Sequence, residues 1–115
     1  MSCRDVDTLK DIIRVLERAC GFPIPNRDSL ESTDYLQDAL IRCLEVIGEA
    51  TKRLSPSWRD RHPSIPWRAM AGMRDLLIHA YDTVDLEEVW EAYQLLPQLR
   101  EQLQAIADAE EQLNP

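Results

Sequence analysis

Apolar residues recur at three- and four-residue intervals along most of this chain, and a polypeptide with that periodicity buries them together by forming helices. Between about Val6 and Cys20, the side chains of Leu9, Ile12, Ile13, Leu16 and Ala19 fall on one side of an amphipathic helix that stops at Gly21. The segment from Gly21 to Asn26 holds Pro23 and Pro25, which do not fit a helix interior. A second helix is expected from about Ser29 to Leu54, because Leu36, Leu40, Cys43, Ile47, Ala50 and Leu54 share one line at about 100° per residue. Ala39, Leu44 and Val46 widen that apolar face, so this helix should be covered on more than one side. Asp38, Arg42, Glu45, Glu49 and Lys52 lie opposite.

Ser55 to Ile65, with Pro56, Pro63 and the charged run Arg59-Asp60-Arg61, reads as a loop. Pro66 suits the first position of a third helix reaching about His79 or Tyr81. Asp85 followed by Glu88 resembles a capping box and starts a fourth, with Leu86, Val89, Trp90, Tyr93 and Leu96 as its buried line. Pro97 either kinks it or begins a last helix carrying Leu99, Leu103 and Ile106. With 44% hydrophobic residues, 30% charged residues, 3 Gly and a single Phe, the composition suits an all-α bundle of four to five helices rather than a strand-rich sandwich. A length of 115 residues fits one domain spanning positions 1–115.

No apolar run approaches the ~20 residues that cross a bilayer, and the charged N-terminus lacks a signal-peptide core, so no membrane role and a cytoplasmic location are expected. Cys3, Cys20 and Cys43 have no paired spacing, and His62 and His79 are far apart in sequence, so neither a metal site nor a bound cofactor is expected. The net charge of −8 appears unfavourable for a polyanionic partner. The distribution is polarised, however: between Lys52 and Arg74 six basic residues face Asp60 alone, and from Asp82 to Glu111 nine acids face Arg100 alone.

The third helix holds an anomaly. Trp67, Met70, Ala71, Leu77, Ile78 and Tyr81 cover one face, and Arg74 lies in its middle. Either Arg74 has an acidic partner, for which Glu49 and Asp75 are candidates, or this face borders an open cleft. His79, five residues on, projects about 140° away around the helix, so one chain makes a poor two-group site. Two antiparallel chains could face each Arg74 with the other's His79. In such a cleft, imidazole moves a proton at a ribose 2′-hydroxyl or a leaving 5′-oxygen, and guanidinium binds the phosphate. Tyr81 shares the face of Arg74 and could hydrogen-bond the same phosphate. Each residue also has a structural reading: a buried ion pair for Arg74, a helix-dipole partner for His79, an interfacial aromatic for Tyr81. Trp58 in the basic segment could stack on a base, whereas Trp67 and Trp90 read as core.

Arg74-Asp-Leu-Leu-Ile-His79-Ala-Tyr81 has the form Arg-x4-His-x-Tyr, which resembles the signature of HepT toxins in the HEPN superfamily. Leu44-Glu-Val-Ile-Gly-Glu-Ala50, Pro63-Ser-Ile-Pro-Trp67, Ala71-Gly-Met-Arg74 and Val84-Asp-Leu-Glu-Glu-Val-Trp90 also look like HepT segments, so the resemblance covers most of the chain. It implies a dimeric HEPN-type bundle with a composite, metal-independent ribonuclease site, in which Arg74 and His79 act on an RNA substrate. It further implies a bacterial toxin–antitoxin pair with a MntA-type nucleotidyltransferase, which silences the toxin by transferring AMP to Tyr81, with or without assembly beyond the homodimer. Asp82 stands where relatives often carry an aromatic residue. A non-catalytic HEPN module that binds a nucleotide or a nucleotidyltransferase is the alternative, and a helical dimerisation scaffold with Arg74 paired to Glu49 a third.

Overall fold

Burial of three amphipathic faces against one another organises the chain. The computed structural model describes residues 3–74 and 85–113, and among them are six helices and no strand. They are α1 (Cys3–Cys20), α2 (Arg27–Ser32), α3 (Asp34–Arg53), α4 (Pro56–Asp60), α5 (Trp67–Gly72) and α6 (Leu86–Leu113). The architecture is an all-α bundle of HEPN type.

In α1, Leu9, Ile12, Ile13, Leu16 and Ala19 are all buried, as their spacing predicts. Burying each of the larger ones contributes about 1.5–3 kcal/mol. α1 packs on α3 along one side and on α6 along the other. Both neighbours run antiparallel to it: Asp5 meets Ser55 just past the end of α3, while Lys10 pairs with Glu111 near the end of α6. α3 is covered by α1, α2 and α5, which accounts for its broad apolar face. At about 1.5 Å per residue, the 28 residues of α6 span about 42 Å and set the long dimension of 46 Å.

Asp85 Oδ1 accepts from the backbone N–H of Glu87 at 3.0 Å and of Glu88 at 3.4 Å, capping α6 where the sequence placed its start. α6 runs on past Pro97 to Leu113, so no separate last helix forms. A proline inside a helix costs about 3 kcal/mol. Here Val89, Ala92, Leu96, Leu99, Leu103 and Ala107 keep one buried line across it, and their burial offsets that cost.

Two short helices raise the number above the four to five expected. The single helix expected over 29–54 is divided at Thr33, whose backbone is extended (φ −126°, ψ 96°). Gln37 Nε2 donates to the carbonyls of Leu30 and Glu31, each at 2.9 Å, satisfying two acceptors that the break leaves open. The segment expected as a loop over 55–65 contains α4, with Pro56 in its first turn. The third helix begins at Trp67, with Pro66 as its N-cap residue, and ends at Gly72 with Met73 as its C-cap, so Arg74, expected within it, lies in a turn just past its end; the continuation expected from 75 to 79 or 81 lies outside the described residues.

α4 is tied to α1 across fifty residues of sequence. Asp5 is only 3% exposed, and its carboxylate accepts from Ser55 N–H at 2.9 Å and from the Ser55 hydroxyl at 2.7 Å. Hydrogen bonds to a charged group contribute about 1.5–3 kcal/mol. Asp5→Ala should therefore lower the unfolding free energy by about 2 kcal/mol, seen as a lower denaturant midpoint at unchanged m-value. A wild-type midpoint would refute this role for Asp5.

Candidate active site

Arg74 is placed by a close approach of α5 to α3, and Gly48 makes that approach possible. A Cβ built on Gly48 would lie 2.7 Å from Arg74 N, 2.9 Å from Arg74 Cβ and 3.1 Å from the Ala71 carbonyl oxygen. Any side chain at position 48 would collide with backbone, so the residue has to be glycine for Arg74 to sit where it does.

Glu49, next along α3, forms an ion pair with Arg74 through the guanidinium Nε. The Arg74 side chain is 39% exposed and that of Glu49 41%, so the pair is open to solvent rather than sealed in the core. The carboxylate thus holds the guanidinium at Nε, on a side chain that an anion can still reach from solvent. Of the residues singled out from the sequence, the structure brings Arg74 and Glu49 together. Asp75, His79 and Tyr81 lie outside the described residues.

Next to this pair is a groove of about 600 Å³ lined by Lys52, Pro56, Arg59, Asp60, Trp67, Arg68, Ala71 and Gly72. It adjoins the pair because Lys52 is one helical turn beyond Glu49 on α3, and Ala71 and Gly72 lead directly into Met73 and Arg74. The basic run of the sequence therefore gathers three of its cations on one concave surface. The charge pattern showed their excess, but not their convergence, which depends on α4 folding back over the end of α3.

Trp58 does not fit the base-stacking role expected of it. It is 2% exposed, with its ring 4.7 Å from that of His62 and 5.6 Å from that of Trp67. α4 turns it into the core, so stacking on a base is excluded in this conformation. Trp67 is also buried and donates from its indole N–H to the carbonyls of Arg59 at 3.1 Å and His62 at 2.9 Å, fixing the start of α5 against the end of α4. Trp90 is partly buried and stacks on Tyr93. His62 Nε2 lies 3.8 Å from Glu110 Oε1, too far for a hydrogen bond, and has no other partner. The Arg59 Nε–H is likewise buried without an acceptor, an arrangement that costs about 1–3 kcal/mol.

Burial pushes the Cys20 and Cys43 thiols above their ordinary value, so neither is a thiolate near neutrality and neither is suited to act as a nucleophile. Among the described residues no group of three or more His, Cys, Asp or Glu side chains is arranged to hold a metal ion. No described helix is long and apolar enough to cross a membrane.

An antiparallel all-α bundle is consistent with a HEPN-type protein, and here it displays a partly exposed arginine beside a basic groove. The sequence profile of the family described as Ribonuclease HepT-like matches residues 7–106, and the chain belongs to this family. By class it is a ribonuclease. A protein of Methanocaldococcus jannaschii named provisionally as an RNase is 46% identical over 109 residues, covering 92% of this chain and 94% of that protein. A Thermococcus cleftensis protein named a probable ribonuclease HepT is 45% identical over 89 residues, covering 73% of this chain and 77% of its own length. A protein of Caldanaerobacter subterraneus subsp. tengcongensis, also named provisionally as an RNase, is 37% identical over 97 residues, covering 79% of this chain and 87% of its own. No solved structure matches the chain.

Proposed function

We propose that this ribonuclease is the toxin of a toxin–antitoxin pair, that it cuts RNA without a metal at a cleft shared by two copies of the chain, and that its antitoxin is a MntA-type nucleotidyltransferase that silences it by transferring AMP to Tyr81. One observation carries the reading: Arg74, which opens the sequence Arg74-x4-His79-x-Tyr81, is held by Glu49 on a partly exposed side chain, beside a basic groove in an otherwise acidic chain.

In this reaction the ribose 2′-oxygen attacks the adjacent phosphorus. The O2′–P bond forms as the P–O5′ bond breaks, leaving a 2′,3′-cyclic phosphate and a free 5′-hydroxyl. His79 of one copy, beside Arg74 of the other, takes the 2′-hydroxyl proton, and water protonates the leaving 5′-oxygen, its proton replaced from the imidazolium. Arg74 binds the phosphate and stabilises the charge that builds on it; a guanidinium suits this task because it stays protonated and presents a planar fork. Sequence spacing supports the two-copy arrangement, since five residues on an ideal helix put two side chains about 140° apart.

AMP on Tyr81, seven residues after Arg74, would add a bulky anion that competes for the guanidinium and repels RNA. Purified protein should cut single-stranded RNA in the presence of EDTA; no cutting by folded wild-type protein would overturn the catalytic reading in favour of a non-catalytic binding module. Co-expression with a MntA-type nucleotidyltransferase should add the mass of AMP, in one or more copies, to the intact protein and abolish cutting. An unshifted mass, or a shift that persists in Tyr81→Phe, would remove the AMP step from the proposal.

A further inference from the structure

We infer that the groove between α3, α4 and α5 is a binding subsite for an RNA phosphate flanking the one that is cut, with Arg59, Arg68 and Lys52 as its ligands. This rests on the ribonuclease reading above and adds residues to it. Three observations carry it together. The groove is concave and, at about 600 Å³, lies within the usual range for ligand sites. Three of its lining residues are cationic, against Asp60 alone, in a chain of net charge −8. Arg59 Nε–H is buried in the absence of any acceptor, and neither Arg59 nor Arg68 has an acidic partner among the described residues.

A donor withdrawn from water and left unpaired becomes favourable once an oxyanion reaches it, and a phosphodiester oxygen is the acceptor a ribonuclease meets on every nucleotide. Position favours a strand. The groove begins one turn along α3 from the carboxylate that holds Arg74, so a chain whose scissile phosphate lies on Arg74 continues across the groove. Little aromatic face is offered to a base there, because Trp58 is turned into the core and Trp67, which lines the groove, is only 8% exposed. The subsite therefore reads backbone rather than sequence, and contributes affinity and register.

Gly72 supplies a clean way to test this. A Cβ there meets nothing within 4 Å and its backbone φ is not positive, so a carboxylate can be placed in the groove without steric conflict. Binding is measured by fluorescence anisotropy with a labelled 2′-O-methyl RNA oligonucleotide, which keeps the phosphates but cannot be cut by its own 2′-oxygen. Gly72→Glu and Arg68→Gln should each weaken binding about tenfold, and Arg68→Gln should reduce the slope of log K against log salt by about 0.7, the share of one phosphate contact on a single strand. Arg14→Gln removes the same charge from the surface of α1 and should leave affinity and slope at wild-type values.

Wild-type affinity and slope in Gly72→Glu and Arg68→Gln would overturn the subsite even if the enzyme cuts RNA. Conversely, groove-dependent binding by a protein that cuts nothing would overturn catalysis and leave the subsite standing. ATP serves as the competitor: its failure to displace the oligonucleotide supports a strand, whereas displacement at concentrations near the oligonucleotide's own Kd would make the groove a mononucleotide site and overturn the strand assignment.

Discussion

Arg74→Ala and His79→Ala are each expected to reduce kcat/KM for RNA cleavage by two to four orders of magnitude while leaving the fold intact. Loss of a positioned proton-transfer group typically costs about 10²–10⁴ in rate. Loss of a donor that meets developing charge costs about 10²–10³. Stability should hardly change at Arg74, because an ion pair as exposed as Arg74–Glu49 contributes only about 0–1 kcal/mol. Arg74→Lys should recover only part of the activity, since an ammonium keeps the charge and loses the fork. The sharper result comes from mixing. If each site takes Arg74 from one copy and His79 from the other, a dimer of one Arg74→Ala chain with one His79→Ala chain contains one intact pair and one doubly defective pair. With random exchange half the dimers are mixed, each with one working pair of two, so the mixture should regain about one quarter of wild-type activity. Two inactive proteins that stay inactive after exchange would show that the pair is not shared.

What could be read from the sequence was what depends on local spacing. The lines Leu9–Ile12–Leu16 and Leu36–Leu40–Ile47 are buried because residues three and four apart share a helix face whatever the rest of the chain does. The Asp85 cap was legible for the same reason, as its acceptor and donors are three residues apart or fewer. Glu49 could be named as a candidate partner for Arg74 from charge and register, but that the two side chains meet needed the third dimension. The break at Thr33 escaped because apolar periodicity runs on across it, and what stabilises it is a side chain, Gln37, reaching back to the carbonyls of Leu30 and Glu31. α4 did leave a trace, since Ser55-Pro56 is an N-cap residue followed by proline in the first turn, a helix start hidden among other loop-forming residues. That oversight also misplaced Trp58, which only as part of a helix points inward. Asp5 with Ser55, and Gly48 with Arg74, could not be seen at all, because each joins elements whose approach is a property of the packed bundle.

Gly48→Ala should damage activity more than stability, and the two effects have opposite local causes. In mid-helix, alanine is favoured over glycine by about 1 kcal/mol. Against that gain, the new methyl would sit 2.7 Å from Arg74 N and 3.1 Å from the Ala71 carbonyl oxygen, both backbone atoms that cannot rotate aside. Overpacking of this kind costs about 1–3 kcal/mol, so the net loss of stability should be about 0–2 kcal/mol, leaving the protein folded at room temperature. The strain is relieved by moving the end of α5 away from α3, which carries Arg74 with it and separates it from Glu49. A misplacement of about 1 Å in a positioning group can cost about 10²-fold in rate. Cleavage should therefore fall by about two orders of magnitude in a protein whose circular dichroism is unchanged. Gly72→Ala is the matched comparison for stability, since a methyl there enters open space and should be neutral or stabilising by about 0.4–1 kcal/mol. If Gly48→Ala cuts RNA at the wild-type rate, the contact between α3 and the Arg74 backbone does not set the position of the guanidinium, and the link drawn from Gly48 to the active site is broken.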